Sequence, residues 1–103
     1  MKALSTIALT LALSCTPVFA QSGRVKAGDY NHACYTITDY QHYISAVNTR
    51  DNRLYRSLLD ENRCVNVGGL EYSLLRNIGT AYQIRVYWFG KTEDVWIHRS
   101  LLY

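Results

Sequence analysis

The sequence predicts an α+β fold in which two short helices precede a small antiparallel sheet or barrel, with one disulfide. Three observations predict it. Apolar residues recur at helical spacing between Thr38 and Glu61. From Cys64 onward they alternate with polar residues, which is typical of strands with one buried face. Finally, Cys34 and Cys64 are the only cysteines beyond the first twenty residues.

The first twenty residues, Met1–Ala20, have the three parts of a secretory signal peptide. Lys2 supplies the basic start, Ala3–Leu13 the apolar region, and Val18-Phe19-Ala20 the small residues before the cleavage site. We therefore expect the mature chain to begin at Gln21 and to be periplasmic or secreted. The apolar region is too short to remain as a transmembrane helix, which needs about 20 such residues.

Export determines how the cysteines are interpreted. Cleavage after Ala20 removes Cys15 and leaves Cys34 and Cys64 in an oxidising compartment, which predicts one disulfide. Such a bond closes a loop of about 31 residues and stabilises the fold by roughly 3–4 kcal/mol in the chain-entropy model. The competing interpretation is that Cys15, preceded by the small residue Ser14, is the acylated residue of a lipoprotein signal.

The remaining chain, residues 21–103, is long enough for one domain with one small core. Without Lys2 it has ten Lys and Arg against eight Asp and Glu, a net charge of +2. Because both signs are interspersed, the composition argues against nucleic acid or an anionic membrane surface as a partner. No later segment is apolar enough to cross a membrane.

The predicted elements begin with a strand at Arg24–Asp29. A capping-box pattern at Thr38–Gln41 predicts the start of a first helix. Its apolar face is Tyr40, Tyr43, Ile44 and Val47. A second helix is predicted from Asp51 or Asn52 to about Glu61, with a buried stripe of Leu54, Tyr55, Leu58 and Leu59.

Four strands are predicted after the helices. They are Cys64–Val67, Leu70–Asn77, Ala81–Phe89 and Val95–His98, separated by turns at Gly68-Gly69, Ile78–Thr80 and Gly90–Asp94. In the third of these strands Ile84 and Val86 belong to an uninterrupted apolar set that we expect to face the core. Arg85 and Tyr87 then face outward.

The segment from Ile84 to Leu102 resembles the end of bacterial SH3-like domains. Those domains close with a strand, a glycine-containing hairpin, a Trp-Val/Ile-His segment and a short helical turn ending in Leu. Here Trp96-Ile97-His98 followed by Leu101-Leu102 is the most specific part of the match. The resemblance implies a binding module without catalytic residues. Two helices stand where the family has an extended loop that often contacts ligands.

Catalytic and metal-binding patterns are weak. His32, His42 and His98 lie in three separate elements, and both mature cysteines are assigned to the disulfide. We therefore expect no enzyme, no cofactor and no metal site. The minor alternatives are a secreted ribonuclease that uses His98 and Arg99, and a zinc site of His32, Cys34, Cys64 and His98.

The sequence favours binding instead, on the outward face of the last two strands. If Val95 and Ile97 face the core, Trp96 and His98 face outward beside Arg85 and Tyr87, with Arg99 at the edge. An exposed indole beside basic and aromatic groups is typical of binding hot spots. The alternative is that Trp96 packs beneath the two helices as part of a second core.

Two functions from different classes follow from these expectations. The first is an exported bacterial module, monomeric or weakly dimeric, that binds a protein, a peptide or a cell-wall component. The second is a secreted or periplasmic enzyme inhibitor or immunity protein. Such an inhibitor blocks its target by inserting a loop.

Overall fold

Six antiparallel strands form one sheet in the computed structural model, which describes residues 21–103. The predicted signal peptide, Met1–Ala20 with Cys15, lies outside the described residues. The strands are β1 (Ser22–Arg24), β2 (His32–Cys34), β3 (Cys64–Asn66), β4 (Glu71–Ile78), β5 (Ala81–Trp88) and β6 (Lys91–His98). Their order across the sheet is β1-β4-β5-β6-β2-β3. Two helices, α1 (Ile37–Thr49) and α2 (Asn52–Asp60), lie between β2 and β3. The predicted α+β class is confirmed.

Each helix begins at a side chain that accepts a hydrogen bond from the first turn. α2 begins at Asn52, within the predicted start at Asp51 or Asn52, and Asp51 caps it: its Oδ1 accepts from the Leu54 N–H at 3.1 Å. The cap of α1 is Thr36 rather than the predicted Thr38: its Oγ1 accepts from the Asp39 N–H at 3.1 Å. Thr38 lies one residue inside the helix. Val47, predicted on the apolar face, is 48% exposed.

The three long strands form a meander that is extended by short strands at both ends. β6 begins at Lys91, four residues before the predicted Val95, because the turn after β5 is shorter than predicted. The first predicted strand, Arg24–Asp29, is shifted: β1 spans Ser22–Arg24 and pairs with β4. β2 was not predicted, since its three residues contain no alternating pattern.

The inner face of the sheet carries the main core. Ile84, Val86, Val95 and Ile97 are each fully buried there, so the predicted alternation of β5 and β6 is correct. The end of the chain closes one side of this core. Val25 bridges Leu102, and the Lys26 N–H donates to the Leu101 carbonyl at 2.7 Å.

The outer face is covered by the helices over one end only. There Tyr40, Tyr43 and Leu58 from the helices pack against Ala81 and Trp96 of the sheet. The predicted disulfide joins Cys34 to Cys64, which are also paired residues of β2 and β3. It therefore closes the base of the helical segment, where that segment leaves and rejoins the sheet.

Candidate binding surface

The five predicted binding residues do not form one surface. On β5 and β6, register pairs Ala81 with His98, Gln83 with Trp96, Arg85 with Asp94 and Tyr87 with Thr92. The helices cover this face from the Trp96 row, and leave the Arg85 and Tyr87 rows open. The sequence placed these side chains on the correct face and could not show which part of it is covered.

Trp96 is buried, so the expectation that it is an exposed hot spot is wrong. Its exposed fraction is 4%, and it packs with Ala81 beneath the helices. The Arg76 guanidinium lies over the indole, 5.4 Å from the ring centroid, and Arg76 Nε donates to Gln83 Oε1 at 2.9 Å. The alternative of a second core is the correct interpretation.

Arg85 remains on the open part of the face, where its charge is paired. Its Nε and Nη2 donate to the two carboxylate oxygens of Asp94 at 2.8 and 3.2 Å. The hydrogen bond to Asp94 and the charge of that carboxylate raise the pKa of Arg85. A bidentate pair of this kind fixes both side chains and leaves little net charge for a ligand.

Tyr87 is 40% exposed and borders a shallow depression of about 450 Å³. Its hydroxyl lies 2.8 Å from Ser73 Oγ. Beside it Arg24 Nη2 donates to Glu71 Oε2 at 3.1 Å, and Arg24 Nη1 donates to the Gly69 carbonyl at 3.0 Å. We call these exposed or half-buried side chains the polar strip: Ser22, Arg24, Glu71, Ser73, Arg85, Tyr87, Thr92 and Asp94.

His98 and Arg99 lie at the opposite end of the hairpin from Tyr87. The Ser100 N–H donates to His98 Nδ1 at 3.1 Å, and the Arg99 N–H donates to the Thr80 carbonyl at 2.9 Å. His98 therefore caps the 3₁₀ turn at Arg99–Leu101. Both residues are separated from the polar strip by the covered Trp96 row.

Sequence reasoning missed the most exposed aromatic residue, Phe89. It was assigned to a strand, yet with Gly90 it forms the two-residue tip of the β5–β6 hairpin, and 95% of its side chain is exposed. Phe89 has φ of 45° and Gly90 of 78°, which is a type I′ turn. The signal was present as a Phe-Gly pair between two alternating runs.

The tip presents an aromatic stack. The Phe89 and Trp88 rings have centroids 6.5 Å apart and planes inclined at 21°, and Lys91 Nζ lies 5.7 Å from the Trp88 centroid. Trp88 Nε1 is buried without a hydrogen-bond partner among the described residues. Lys91 also pairs with Glu93 at 3.8 Å. Phe89 is thus the outermost residue of the hairpin, and the Lys91 side chain beneath it is paired with Glu93.

A buried aromatic cluster lies beneath the helices. His32 Nδ1 is 3.2 Å from the Tyr43 hydroxyl, and the His32 ring meets Tyr55 edge-on at 6.0 Å between centroids. Burial lowers the pKa of His32, despite its backbone hydrogen bond to Tyr30, and burial raises the pKa of Tyr43. Both side chains are therefore neutral at pH 7, and the cluster stabilises the packing of the helices.

The described residues contain no cluster suited to a metal ion. In residues 21–103 no three His, Cys, Asp or Glu side chains are grouped so that they could hold a metal ion. Cys34 and Cys64 form a disulfide and so cannot act as thiolate ligands. Within the same range, no helix has the length and apolar character needed to cross a membrane.

No protein-family model, curated protein or solved structure matches this chain. The candidate surface is accordingly defined by the geometry of the sheet. It consists of the tip at Phe89 and the polar strip around Tyr87, which meet where β5 ends.

Proposed function

We propose that this protein is an exported, SH3-like binding module that recognises a protein partner through the β5–β6 hairpin tip and the adjoining polar strip. The observation that carries the proposal is Phe89, which is 95% exposed at a φ of 45°. A bulky residue at positive φ costs about 1–2 kcal/mol. A residue that raises the free energy of folding and buries almost no surface in return is best explained by a role in binding.

The surroundings of Phe89 suit a protein partner better than a membrane. Lys91 is paired with Glu93, Arg85 with Asp94, and Arg24 with Glu71. An anionic lipid surface would require unpaired basic residues around the aromatic tip. A protein pocket requires an apolar anchor surrounded by polar groups, as a Phe ring beside the polar strip provides.

The SH3-like part of the proposal is supported by the end of the chain. β5, a glycine-containing tip, Trp96-Ile97-His98 at the end of β6 and the 3₁₀ turn Arg99–Leu101 occur in the order that the family uses. The helical segment replaces the loop that often contacts ligands in that family. The binding surface proposed here therefore lies elsewhere on the sheet.

Export and oligomeric state belong to the same proposal. A disulfide between Cys34 and Cys64 suits an oxidising compartment, in agreement with a signal peptide cleaved after Ala20. Because the exposed charges of the hairpin are paired within one chain, we propose a monomer or a weak dimer. A cell-wall component remains the alternative ligand of such a module.

The second candidate function is an enzyme inhibitor or immunity protein. It is favoured by the same tip, because a rigid two-residue turn holds Phe89 in one conformation before binding. Such preorganisation lowers the entropic cost of association. The two functions differ in affinity. Loop-inserting inhibitors form some of the tightest known complexes, whereas transient binding modules hold their partners much more weakly.

The test is affinity capture from a cell-envelope extract, with the mature protein and two variants immobilised. Phe89→Asn removes the ring and keeps the turn, because Asn tolerates positive φ. Tyr30→Asn is the matched control, since Tyr30 is another exposed aromatic residue, at 77%, away from the hairpin. We expect a protein that is retained by the wild type and Tyr30→Asn and lost with Phe89→Asn.

Retention by all three forms would contradict the assignment of the site.

Calorimetry with the purified partner distinguishes the binding module from the inhibitor. A dissociation constant of about 1 nM or below supports an inhibitor, and one of about 1 μM supports a module. The alternative ligand, a cell-wall component, is tested by sedimenting the protein with purified cell wall in place of the extract.

A further inference from the structure

One edge of β6 is unpaired over the half of the strand nearest the hairpin tip. β6 pairs with β5 along its whole length, from Lys91 opposite Trp88 to His98 opposite Ala81. On its other side, within residues 21–103, it pairs with β2 at one position, where Trp96 lies opposite Cys34. Beyond Cys34, no backbone hydrogen bond joins Tyr35 or Thr36 to β6 among the described residues, and α1 begins at Ile37.

The ladder determines which backbone groups this edge presents. A two-residue hairpin starts with a hydrogen-bonded pair, here Trp88 and Lys91, and such pairs alternate along antiparallel strands. Val86–Glu93 is therefore hydrogen-bonded, and the N–H and C=O groups of Thr92 and Asp94 point away from β5. Neither residue has a backbone partner on that side among the described residues.

The edge is accessible. Lys91, Thr92 and Asp94 are exposed, and Glu93 is half-buried. The helices cover the sheet at the Trp96 row and do not extend to Thr92. On the inner side the Tyr35 hydroxyl donates to Glu93 Oε1 at 2.8 Å, which fixes the carboxylate beside the edge. Burial, together with this hydrogen bond and the charge of Glu93, raises the pKa of Tyr35 to about 12, so the phenol remains a donor.

We propose that the edge at Thr92–Asp94 binds an extended segment of a partner protein by strand addition. This inference rests on the proposed binding function and specifies how the partner is held. The N–H and C=O groups of Thr92 and Asp94 would hydrogen-bond to the partner backbone. The partner strand would lie along the line of β2, beyond the residue at which β2 ends. Phe89 lies beyond the end of this edge and provides a side-chain anchor for the same partner.

A second copy of this chain fits the edge poorly. The antiparallel register that uses Thr92 and Asp94 of both copies places Glu93 directly opposite Glu93 of the other copy. Like charges at opposed positions destabilise a strand pair. The partner is therefore a segment of another protein that carries a basic or neutral side chain opposite Glu93.

The experiment uses a library of random heptapeptides displayed on phage and selected on the disulfide-bonded mature protein. We expect one group of selected peptides to slow hydrogen exchange at the Thr92 and Asp94 amides. In synthetic copies, N-methylation at alternate residues should abolish this binding, and methylation at the intervening residues should not. This alternation distinguishes strand addition from contacts made by side chains alone.

Thr92→Pro tests the same edge from the side of the protein. It removes an N–H that points away from β5, and proline is tolerated on a strand edge of this kind. Loss of one such hydrogen bond should weaken peptide binding by about tenfold. Thr92→Val, which keeps the N–H, should bind as the wild type does. The methylated peptides test the proposal independently if Thr92→Pro does not fold.

Several outcomes overturn the inference. These are a library that yields no peptide protecting Thr92 and Asp94, binding that tolerates N-methylation at every residue, and protection of these amides caused by dimerisation. The proposed function is judged separately. A captured partner that is lost with Phe89→Asn and kept with Thr92→Pro supports the binding function and rejects strand addition.

Discussion

Trp96 lies directly opposite Cys34 where β2 joins β6, and Cys34 is bonded to Cys64 on the next strand. The indole and the disulfide therefore share the space beneath the helices, in one buried cluster. The helical segment is thus held in two ways: the disulfide closes its base by joining β2 to β3, and the indole is the attachment that packs against its helices. Predictions about stability depend on which attachment is removed.

Trp96→Ala should destabilise the fold rather than remove a binding contact. Trp96 is 4% exposed, and truncating a buried Trp to Ala typically lowers the free energy of unfolding by about 3–5 kcal/mol. Chemical denaturation followed by tyrosine fluorescence measures the change. Tyr30→Ala is the control, since substitution at an exposed position of this kind changes stability by about 0.5 kcal/mol or less. Equal stability of the two variants would contradict the burial of Trp96.

Once the proposed signal peptide is removed, the protein should contain no free thiol. Titration in denaturant should find no reactive cysteine before reduction and two after it, because Cys34 and Cys64 are bonded. Reduction should lower the free energy of unfolding by about 3–4 kcal/mol, since the open chain gains entropy when it unfolds. The double variant with Ser at both positions, untouched by reductant, is the control. Two thiols before reduction would return the zinc site to consideration.

Phe89→Asn should stabilise the protein while it abolishes partner binding. Asn followed by Gly is the preferred pair for a type I′ turn, and the substitution removes a strained Phe whose side chain is almost wholly exposed. We expect the free energy of unfolding to rise by about 1 kcal/mol. Thermal denaturation measures the change, with Tyr103→Asn as an exposed control. A clear loss of stability would mean that the stack on Trp88 contributes to the fold.

Stability should fall as the pH drops below the ordinary pKa of histidine, and His32 should account for part of the loss. Burial lowers the pKa of His32 in the folded protein, so the unfolded chain binds more protons below pH 6.5. The contribution is present above pH 6.5 and is lost progressively as the pH falls towards the lowered value. Tyr43 and Tyr55 face His32, and Tyr43 stays neutral over this range because burial raises its pKa.

His32→Gln is the comparison for that prediction, because glutamine can bond to the Tyr43 hydroxyl without titrating. Denaturation of both proteins between pH 7.5 and pH 5, a range set by the histidine reference pKa of about 6.5, gives the difference. We expect the wild type to lose more stability than the variant. Parallel curves would show that protonation of His32 is not linked to folding.

The mature protein should begin at Gln21, with Cys34 and Cys64 joined by the disulfide. This follows from cleavage after Ala20, the small residue that ends the predicted signal. Mass spectrometry of the protein from the envelope fraction measures it. A mass that begins at Cys15 and includes acyl chains would identify a lipoprotein instead.

Local signals predicted the elements with a strong pattern and missed those without one. Asp51 stands directly before an amphipathic stretch, so the start of α2 was correct. Threonine is a residue type that often caps helices, and Thr36 and Thr38 are only two positions apart. The sequence favoured Thr38, whereas Thr36 is the cap. The first half of β6, from Lys91 to Asp94, is polar on both faces and was read as a turn. These residues form a strand because they pair with β5, although their composition has no strand pattern.

The candidate surface depended on tertiary packing that no local pattern contains. Alternation correctly placed Trp96 on the outer face, but the helices that cover it come from a distant part of the sequence. Phe89 was missed for the opposite reason, since an aromatic residue beside Trp88 resembles the end of a strand. Its exposure follows from the Gly90 that comes next and closes the turn.

The helical segment leaves and rejoins the sheet at adjacent points, with the Cα atoms of Cys34 and Cys64 only 3.9 Å apart. The backbone could therefore be shortened to a tight turn between these strands without altering the path of any other strand. Such a truncated chain would expose Trp96 and Ala81, and thereby create an apolar patch on the sheet. The helices are thus not needed to connect β2 to β3, and their role in the fold is to cover the apolar end of the outer face.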